Sequence, residues 1–220
     1  MTPRRVCVVT GSRADYGPLR GLLHDLAADP RFSLSILATG SHGVASYGDA
    51  PALFAADGLS PAAIVPCVPA SDDRAATAAA FGRGAAALAD ALARLGPEIV
   101  VVLGDRFEIL AAAAAAMLMG IPIAHIHGGE ATEGAIDDFI RHAITKMAQL
   151  HFVAADAYAR RVIQMGEDPG RVLVVGALGV DAIARIPKLA EDEIALRLGR
   201  PLGRPLFVVT YHPVTARTEG

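Results

Sequence analysis

Carboxylates, an arginine and two histidines follow two neighbouring apolar runs of the chain. Residues 103–108 (LGDRFE) end the run 99–103, and residues 125–130 (HIHGGE) follow the run 121–124. Charged and imidazole groups are costly to bury, so their placement directly after apolar strands favours chemistry over packing. Ligands of open α/β sheets bind at the carboxyl edge of the strands. We therefore expect the site at that edge.

The acids of the first segment have two interpretations. Asp105 follows Gly104 at a strand end, where a carboxylate either caps the next helix or faces the crevice as an acid or base. Arg106 and Glu108 either pair with each other or face solvent.

The second segment combines His125, His127 and Glu130, which are metal-ligand residue types. Their spacing differs from the helical His-Glu-x-x-His arrangement, so a structural metal is the weaker alternative. Strand alternation places both imidazoles on one face, from which they can reach one pocket. The glycines 128–129 allow close approach of a ligand to the backbone.

Asp137 and Asp138 begin the next helix, where the helix dipole favours acids in any case. Arg141, His142 and Lys146 follow at one-turn spacings. They form either a polar face toward the site or a solvated face.

The loop 11–17 (GSRADYG) follows the first apolar run. Backbone amides at a helix N-terminus attract anions, and Arg13 beside Ser12 adds a permanent charge, so this loop is a candidate phosphate site. The alternative is a plain turn with a surface arginine, because the dinucleotide glycine fingerprint and the GK[ST] element are absent. A polar loop from residue 39 contains His42, and His212 precedes a proline that restricts its backbone.

Apolar runs alternate with helical segments along most of the chain. We predict strands at 6–10, 32–38, 62–68, 99–103, 121–126, 152–154 and 172–175. We predict helices at 16–28, 75–95, 107–119, 137–150 and 156–165. This alternation with short links predicts an α/β fold with a doubly wound parallel sheet, buried on both faces.

The pattern changes from about residue 176. Helices are predicted at 180–186 and 191–198, and a new strand at 206–210. We therefore divide the chain into an N-terminal domain, 1–180, and linker helices that lead into a truncated second domain, 181–220.

Composition excludes several classes. The net charge of −3 argues against general nucleic-acid binding. Two cysteines, Cys7 and Cys67, are too few for a disulfide framework, which fits a cytoplasmic protein. The run 109–126 is interrupted by Gly120 and Pro122, so neither half spans a membrane.

Five ordered segments together resemble the UDP-N-acetylglucosamine 2-epimerases, most closely the hydrolysing branch that releases N-acetylmannosamine or a diacetamido relative for sialic-acid-type sugars. The segments are 11–17, 104–108, 125–130, 133–146 and 212–215. The resemblance covers essentially the whole chain. It implies a Rossmann-like N-terminal half of a GT-B architecture, with a second nucleotide-binding domain beginning near residue 181 and the active site between the domains. It also implies a UDP-sugar substrate, no cofactor, and a homodimer in the full-length protein.

The resemblance implies that UDP leaves C1 while a proton leaves C2. The glycal so formed takes up water at C1 and is reprotonated at C2 on the opposite face. Asp105, Glu130 and Asp137 become the acid or base candidates. His212 would approach from the interdomain hinge. Several relatives carry a catalytic glutamate where His127 stands, and either His127 or Glu130 takes over its role here.

The same resemblance makes five residues candidates for substrate binding: Ser12, Arg13, His42, Arg106 and His142. The substrate would be UDP-N-acetylglucosamine or UDP-N,N'-diacetylbacillosamine, and the fragment alone would be inactive. The alternatives are a GT-B glycosyltransferase, a non-hydrolysing 2-epimerase, and an orphan domain that binds a partner.

Overall fold

A computed structural model of the chain describes residues 2–211, which form one seven-stranded parallel sheet with helices on both faces. The strands are β1 Arg4–Thr10, β2 Phe32–Gly40, β3 Ala63–Pro66, β4 Ile99–Leu103, β5 Ile123–Ile126, β6 Leu150–Val153 and β7 Val172–Val174. The helices are α1 Arg13–Ala28, α2 Ala50–Ala56, α3 Arg74–Leu95, α4 Phe107–Leu118, α5 Ile136–Met147, α6 Asp156–Gln164, α7 Leu178–Arg185 and α8 Glu191–Leu198. The doubly wound α/β fold is thereby confirmed.

The strand order places a switch point between β1 and β4. The sheet runs β3-β2-β1-β4-β5-β6-β7, so the chain first winds outward from β1 and then restarts on its other side. Crevices for ligands open outside the carboxyl ends of the strands at such a point. The loops after β1, β4 and β5 therefore lie along one edge.

Side chains of the central strands are buried on both faces. Val9 and Val100 pack under α3 and α4, whereas Val8 and Val101 pack under α1 on the other face. Apolar residues at every strand position are what a sheet covered on both sides requires.

One histidine of the core ties the site-bearing strands together. His125 in β5 is completely buried; its Nε2 donates to the Gly104 carbonyl at 2.9 Å, and its Nδ1 lies 3.2 Å from the Thr145 hydroxyl. The ends of β4 and β5 and the helix α5 thus share one side chain. Burial lowers the pKa of His125 from 6.5 to about 4, so the imidazole is neutral in the folded protein.

One predicted strand is absent from the described structure, and one helix was not predicted. The strand predicted at 206–210 is wrong: this segment is irregular and exposed, because no strand of the described chain lies beside it to complete its hydrogen bonds. The polar loop after β2 contains a helix that was missed, α2, whose N-cap Asp49 accepts from the Ala52 amide at 2.9 Å.

Helix α1 begins at Arg13, earlier than the predicted 16, because Ser12 is its N-cap and Asp15 in the first turn accepts from the Ser12 amide. The helices predicted at 180–186 and 191–198 are confirmed as α7 and α8. Among residues 2–211, no helix is both long and apolar enough to cross a bilayer.

Two glycines of α3 give a matched stability test. A Cβ at Gly84 would lie 2.2 Å from the Cys67 Sγ, whereas a Cβ at Gly82 meets no described atom within 4 Å. We expect Gly82→Ala to raise the free energy of unfolding by about 0.5–1 kcal/mol through helix propensity. Gly84→Ala should lower it by about 1–3 kcal/mol through overpacking. Urea unfolding measures both, and adding Cys67→Ala should restore the second variant; equal effects at the two glycines would contradict this packing.

The neutral His125 predicts a pH dependence of stability. Below pH 6.5 the unfolded chain protonates this residue, while the folded chain does so only near pH 4. The contribution of His125 to the free energy of unfolding is therefore largest above pH 6.5. It falls as the pH decreases toward 4, by about 3 kcal/mol. The advantage of the wild type over His125→Asn in urea unfolding should shrink between about pH 7.5 and about pH 5. An advantage that stays constant over that range would contradict a neutral buried imidazole.

Candidate active site

A buried guanidinium joins two loops at the carboxyl edge of the sheet. Arg141 on α5 forms an ion pair with Asp105, which follows β4. It also donates to the Glu130 carbonyl at 3.1 Å and to the Thr132 hydroxyl at 2.9 Å, and lies 3.5 Å from Asp138. The structure thereby brings Asp105 to the loop that carries Glu130. From sequence, the helix face with Arg141 was either turned toward the site or solvated, and the buried ion pair decides for the site.

His127 and Glu130 form one hydrogen-bonded pair. The Nδ1 of His127 lies 2.5 Å from the Glu130 Oε1, and both side chains are partly exposed. The His127 amide donates to the Phe152 carbonyl at 3.0 Å, and its φ of 65° is unusual for a residue other than glycine. His127 and Glu130, the two candidates for the role of the family glutamate, are therefore hydrogen-bonded to each other.

The two histidines of this segment do not share a strand face, which corrects the prediction. β5 ends at Ile126, so His127 already has turn conformation while His125 is buried in the core. Both nitrogens of His125 face protein partners. Among residues 2–211, no three histidine, cysteine or acidic side chains cluster as metal ligands.

Arg106 and Glu108 form a second ion pair, at the start of α4. The Arg106 Nε donates to the Glu108 Oε1 at 2.5 Å, and burial raises the pKa of the Glu108 carboxyl. Burial opposes the charge of Arg106, yet its pKa is raised because Glu108, Asp15 and Asp137 surround it with negative charge. Asp137 thus lies within electrostatic range of Arg106, at the first turn of α5.

The loop after β1 holds its own carboxylate. Asp15 accepts from the Gly11 amide at 2.6 Å, the Ser12 amide at 2.9 Å and the Ser12 hydroxyl at 2.7 Å. These donors are the ones that a phosphate would use. Arg13 is exposed, and its guanidinium lies over Gly48 in the loop after β2.

Glycine is required in this loop because Glu108 lies directly beneath it. A Cβ at Gly11 would lie 2.8 Å from the Glu108 carboxylate and 3.1 Å from the Asp15 Oδ2. The loop after β1 and the first turn of α4 are therefore in van der Waals contact at the switch point.

The remaining candidate histidines differ in position. His42 is buried; its Nε2 lies 3.2 Å from the Thr10 hydroxyl, and its ring packs near Tyr16 and Phe54, which favours packing over substrate contact. His142 is half-buried, with its Nε2 3.8 Å from the Asp138 carboxylate. His212 lies outside the described residues.

Sequence reasoning missed one cation of the site entirely. Arg161 on α6 donates to the Gly129 carbonyl, inside the HIHGGE segment. No motif marked this residue, because it lies 32 positions along the chain from the group that it contacts.

Known proteins are similar to this chain over most of its length. The family model described as UDP-N-acetylglucosamine 2-epimerase matches residues 24–220. The GDP/UDP-N,N'-diacetylbacillosamine 2-epimerase (hydrolyzing) of Campylobacter jejuni is 37% identical over 100% of this chain and 57% of that protein. The polysialic acid biosynthesis protein P7 of Escherichia coli is 36% identical over 98% of this chain and 55% of that protein.

A solved structure has the same fold. The UDP-GlcNAc 2-epimerase of Neisseria meningitidis, bound to UDP-GlcNAc, superposes with a TM-score of 0.71 at 18% identity, over 82% of this chain and 48% of that chain. The chain thus spans a little over half the length of the curated relatives that it matches. By the family match over residues 24–220, it belongs to the UDP-N-acetylglucosamine 2-epimerase family.

Proposed function

We propose that the complete protein containing this chain is a hydrolysing 2-epimerase. It would convert a UDP-N-acetylhexosamine, either UDP-N-acetylglucosamine or UDP-N,N'-diacetylbacillosamine, to UDP and the free C2 epimer for sialic-acid-type sugars. The names of the relatives from Campylobacter jejuni and Escherichia coli support this chemistry. The observation that carries it is the ion pair of Arg141 with Asp105, which gathers acids from two strand ends into one site.

The proposed reaction inverts C2, so one group must remove a proton from one face and another must return it to the other. The C2 proton is barely acidic, and its base must be oriented and shielded from water. The His127–Glu130 pair, Asp105 and Asp137 are the groups that we assign to these transfers. Because Glu130 accepts at Nδ1, the Nε2 of His127 is the ring nitrogen left to exchange a proton at the substrate.

Departure of UDP builds negative charge on the diphosphate, which cations at the site would stabilise. Arg13 is exposed at the loop after β1, and Arg106 lies at the start of α4 on the other side of the switch point. We assign the diphosphate to these two guanidiniums. Ser12 holds the loop through Asp15, and His142 is a further proposed substrate contact, whereas His42 is buried against Tyr16 and Phe54 and is no longer assigned one.

The rest of the reaction depends on chain outside the described residues. His212 is proposed to approach the sugar or diphosphate from the hinge. Elimination of UDP and addition of water involve no redox change, so the proposal names no cofactor. We also propose a homodimer located in the cytoplasm for the complete protein.

The reaction class is tested by incubating the complete protein with each substrate in D₂O. We expect release of UDP, and a free epimer that carries deuterium at C2, because the proton removed from C2 exchanges with solvent before it is returned. Chromatography measures UDP and mass spectrometry the label. Residues 1–220 alone should release little or no UDP. A UDP-linked epimer without free UDP would instead show the non-hydrolysing reaction, and transfer to an added acceptor sugar would show a glycosyltransferase.

Substitutions of the adjacent Asp137 and Asp138 distinguish a catalytic role from a structural one. Asp138 accepts from the Thr132 amide at 2.9 Å and lies 3.5 Å from Arg141, whereas Asp137 faces the charge of Arg106. We expect Asp137→Asn to lower kcat by roughly 10²- to 10⁴-fold with an unchanged unfolding midpoint. Asp138→Asn should instead cost on the order of 1 kcal/mol of stability and spare more of the activity. Steady-state kinetics and urea unfolding of both variants decide, and the reverse ranking would remove Asp137 from the proposed machinery.

A further inference from the structure

We propose that Arg161 on α6 is a positioning residue of the site, which holds the backbone of the loop that carries the His127–Glu130 pair. The inference deepens the proposed function and rests on it for its kinetic consequence. Its structural basis is independent of the substrate. Nothing in the motifs that identify the family includes this residue.

The loop between His127 and Glu130 needs an external support. It contains two successive glycines, 128 and 129, which have more backbone freedom than other residues. His127 itself has a φ of 65°, a conformation that costs a non-glycine residue roughly 1–2 kcal/mol. Such a conformation persists only where the surroundings over-determine it.

Helix α6 supplies one wall of this support. A Cβ at Gly129 would lie 2.5 Å from the Tyr158 carbonyl oxygen and 2.8 Å from the Val162 Cγ2. The loop therefore lies directly on α6. Arg161, half-buried between these two contacts, donates from Nη1 to the Gly129 carbonyl.

Arg141 supplies the other wall. It donates to the Glu130 carbonyl at 3.1 Å, so two consecutive carbonyls of the loop are each held by a guanidinium. Hydrogen bonds from charged donors are about twice as strong as neutral ones. The peptides before and after the Glu130 Cα are consequently each held by a charged donor.

The arrangement has an electrostatic cost. Burial lowers the pKa of Arg141, and the positive charge of Arg161 lowers it further, so the two cations lie within range of mutual repulsion. The pairing of Arg141 with Asp105 offsets this repulsion. Packing alone would be served as well by an apolar side chain, whereas only a donor at this place holds the Gly129 carbonyl.

The consequence lies in the orientation of His127. With the loop held, the Glu130 Oε1 stays 2.5 Å from Nδ1, and Nε2 has no hydrogen bond to any residue from 2 to 211. A loop released on the α6 side would let Glu130 drift from the imidazole, and displacements of about 1 Å can cost a reaction about 10²-fold. Arg161 thus acts through the pair without touching substrate.

The test uses Arg161→Met and Arg161→Lys in the complete protein, with Arg160→Met as the matched control. Arg160 is exposed on the same helix and has no hydrogen bond or ion pair within residues 2–211. We expect Arg161→Met to lower kcat by about 10- to 10²-fold with KM within about twofold. Arg161→Lys, which keeps a charged donor, should recover a substantial part of kcat, and the control should match the wild type.

A second readout does not depend on turnover. The ¹⁵N chemical shifts of the His127 ring report which nitrogen carries the proton, and they should change in Arg161→Met but not in Arg160→Met. If the wild type releases no UDP, the proposed function fails, while this readout still tests whether Arg161 holds the loop that carries the His127–Glu130 pair. Unchanged His127 shifts in Arg161→Met overturn the inference, whether kcat is retained or falls together with the unfolding midpoint.

Discussion

The buried guanidinium of Arg141 is the group on which the geometry of the site depends. A buried cation is tolerated only when it is paired and its donors are satisfied. Arg141 meets this condition with Asp105 from the loop after β4 and with the Glu130 carbonyl and the Thr132 hydroxyl from the loop after β5. Removing a partner would leave an uncompensated charge, so the contact that gathers the proposed catalytic acids also resists their separation.

A neutral histidine in the core, His125, supports the same edge of the sheet. His125 is neutral because it is fully buried, and from β5 it contacts the end of β4 through Gly104 and helix α5 through Thr145. The loops that carry the proposed site residues therefore start from a rigid base. Rigid support is what proton transfer at a weakly acidic carbon requires, because a base must stay oriented while water is excluded. The chain spans a little over half the length of these relatives.

The errors of the sequence analysis have physical causes. The segment 206–210 has the composition of a strand, but strand propensity mostly reflects packing on a sheet, and no sheet lies beside it in the described chain. The alternation argument for His125 and His127 assumed that β5 continues, whereas the strand ends between them. Helix α2 was missed because its residues are few and its surroundings are polar, although Asp49 carried a capping signal.

The local pattern of apolar and polar residues was sufficient to predict which segments are buried in the sheet and which face its edge. Apolar runs alternating with amphipathic segments can be buried only as a parallel sheet between helices, and acids at strand ends must face its edge. Which groups then pair is a different matter: Asp105 lies 36 positions from Arg141, and Arg161 lies 32 from Gly129. Several cations could reach each acid along the chain, and only the packing of α5 and α6 against the strand ends selects one. Pairing over such separations depends on distances of a few ångströms in space, and these distances cannot be obtained from spacing along the chain.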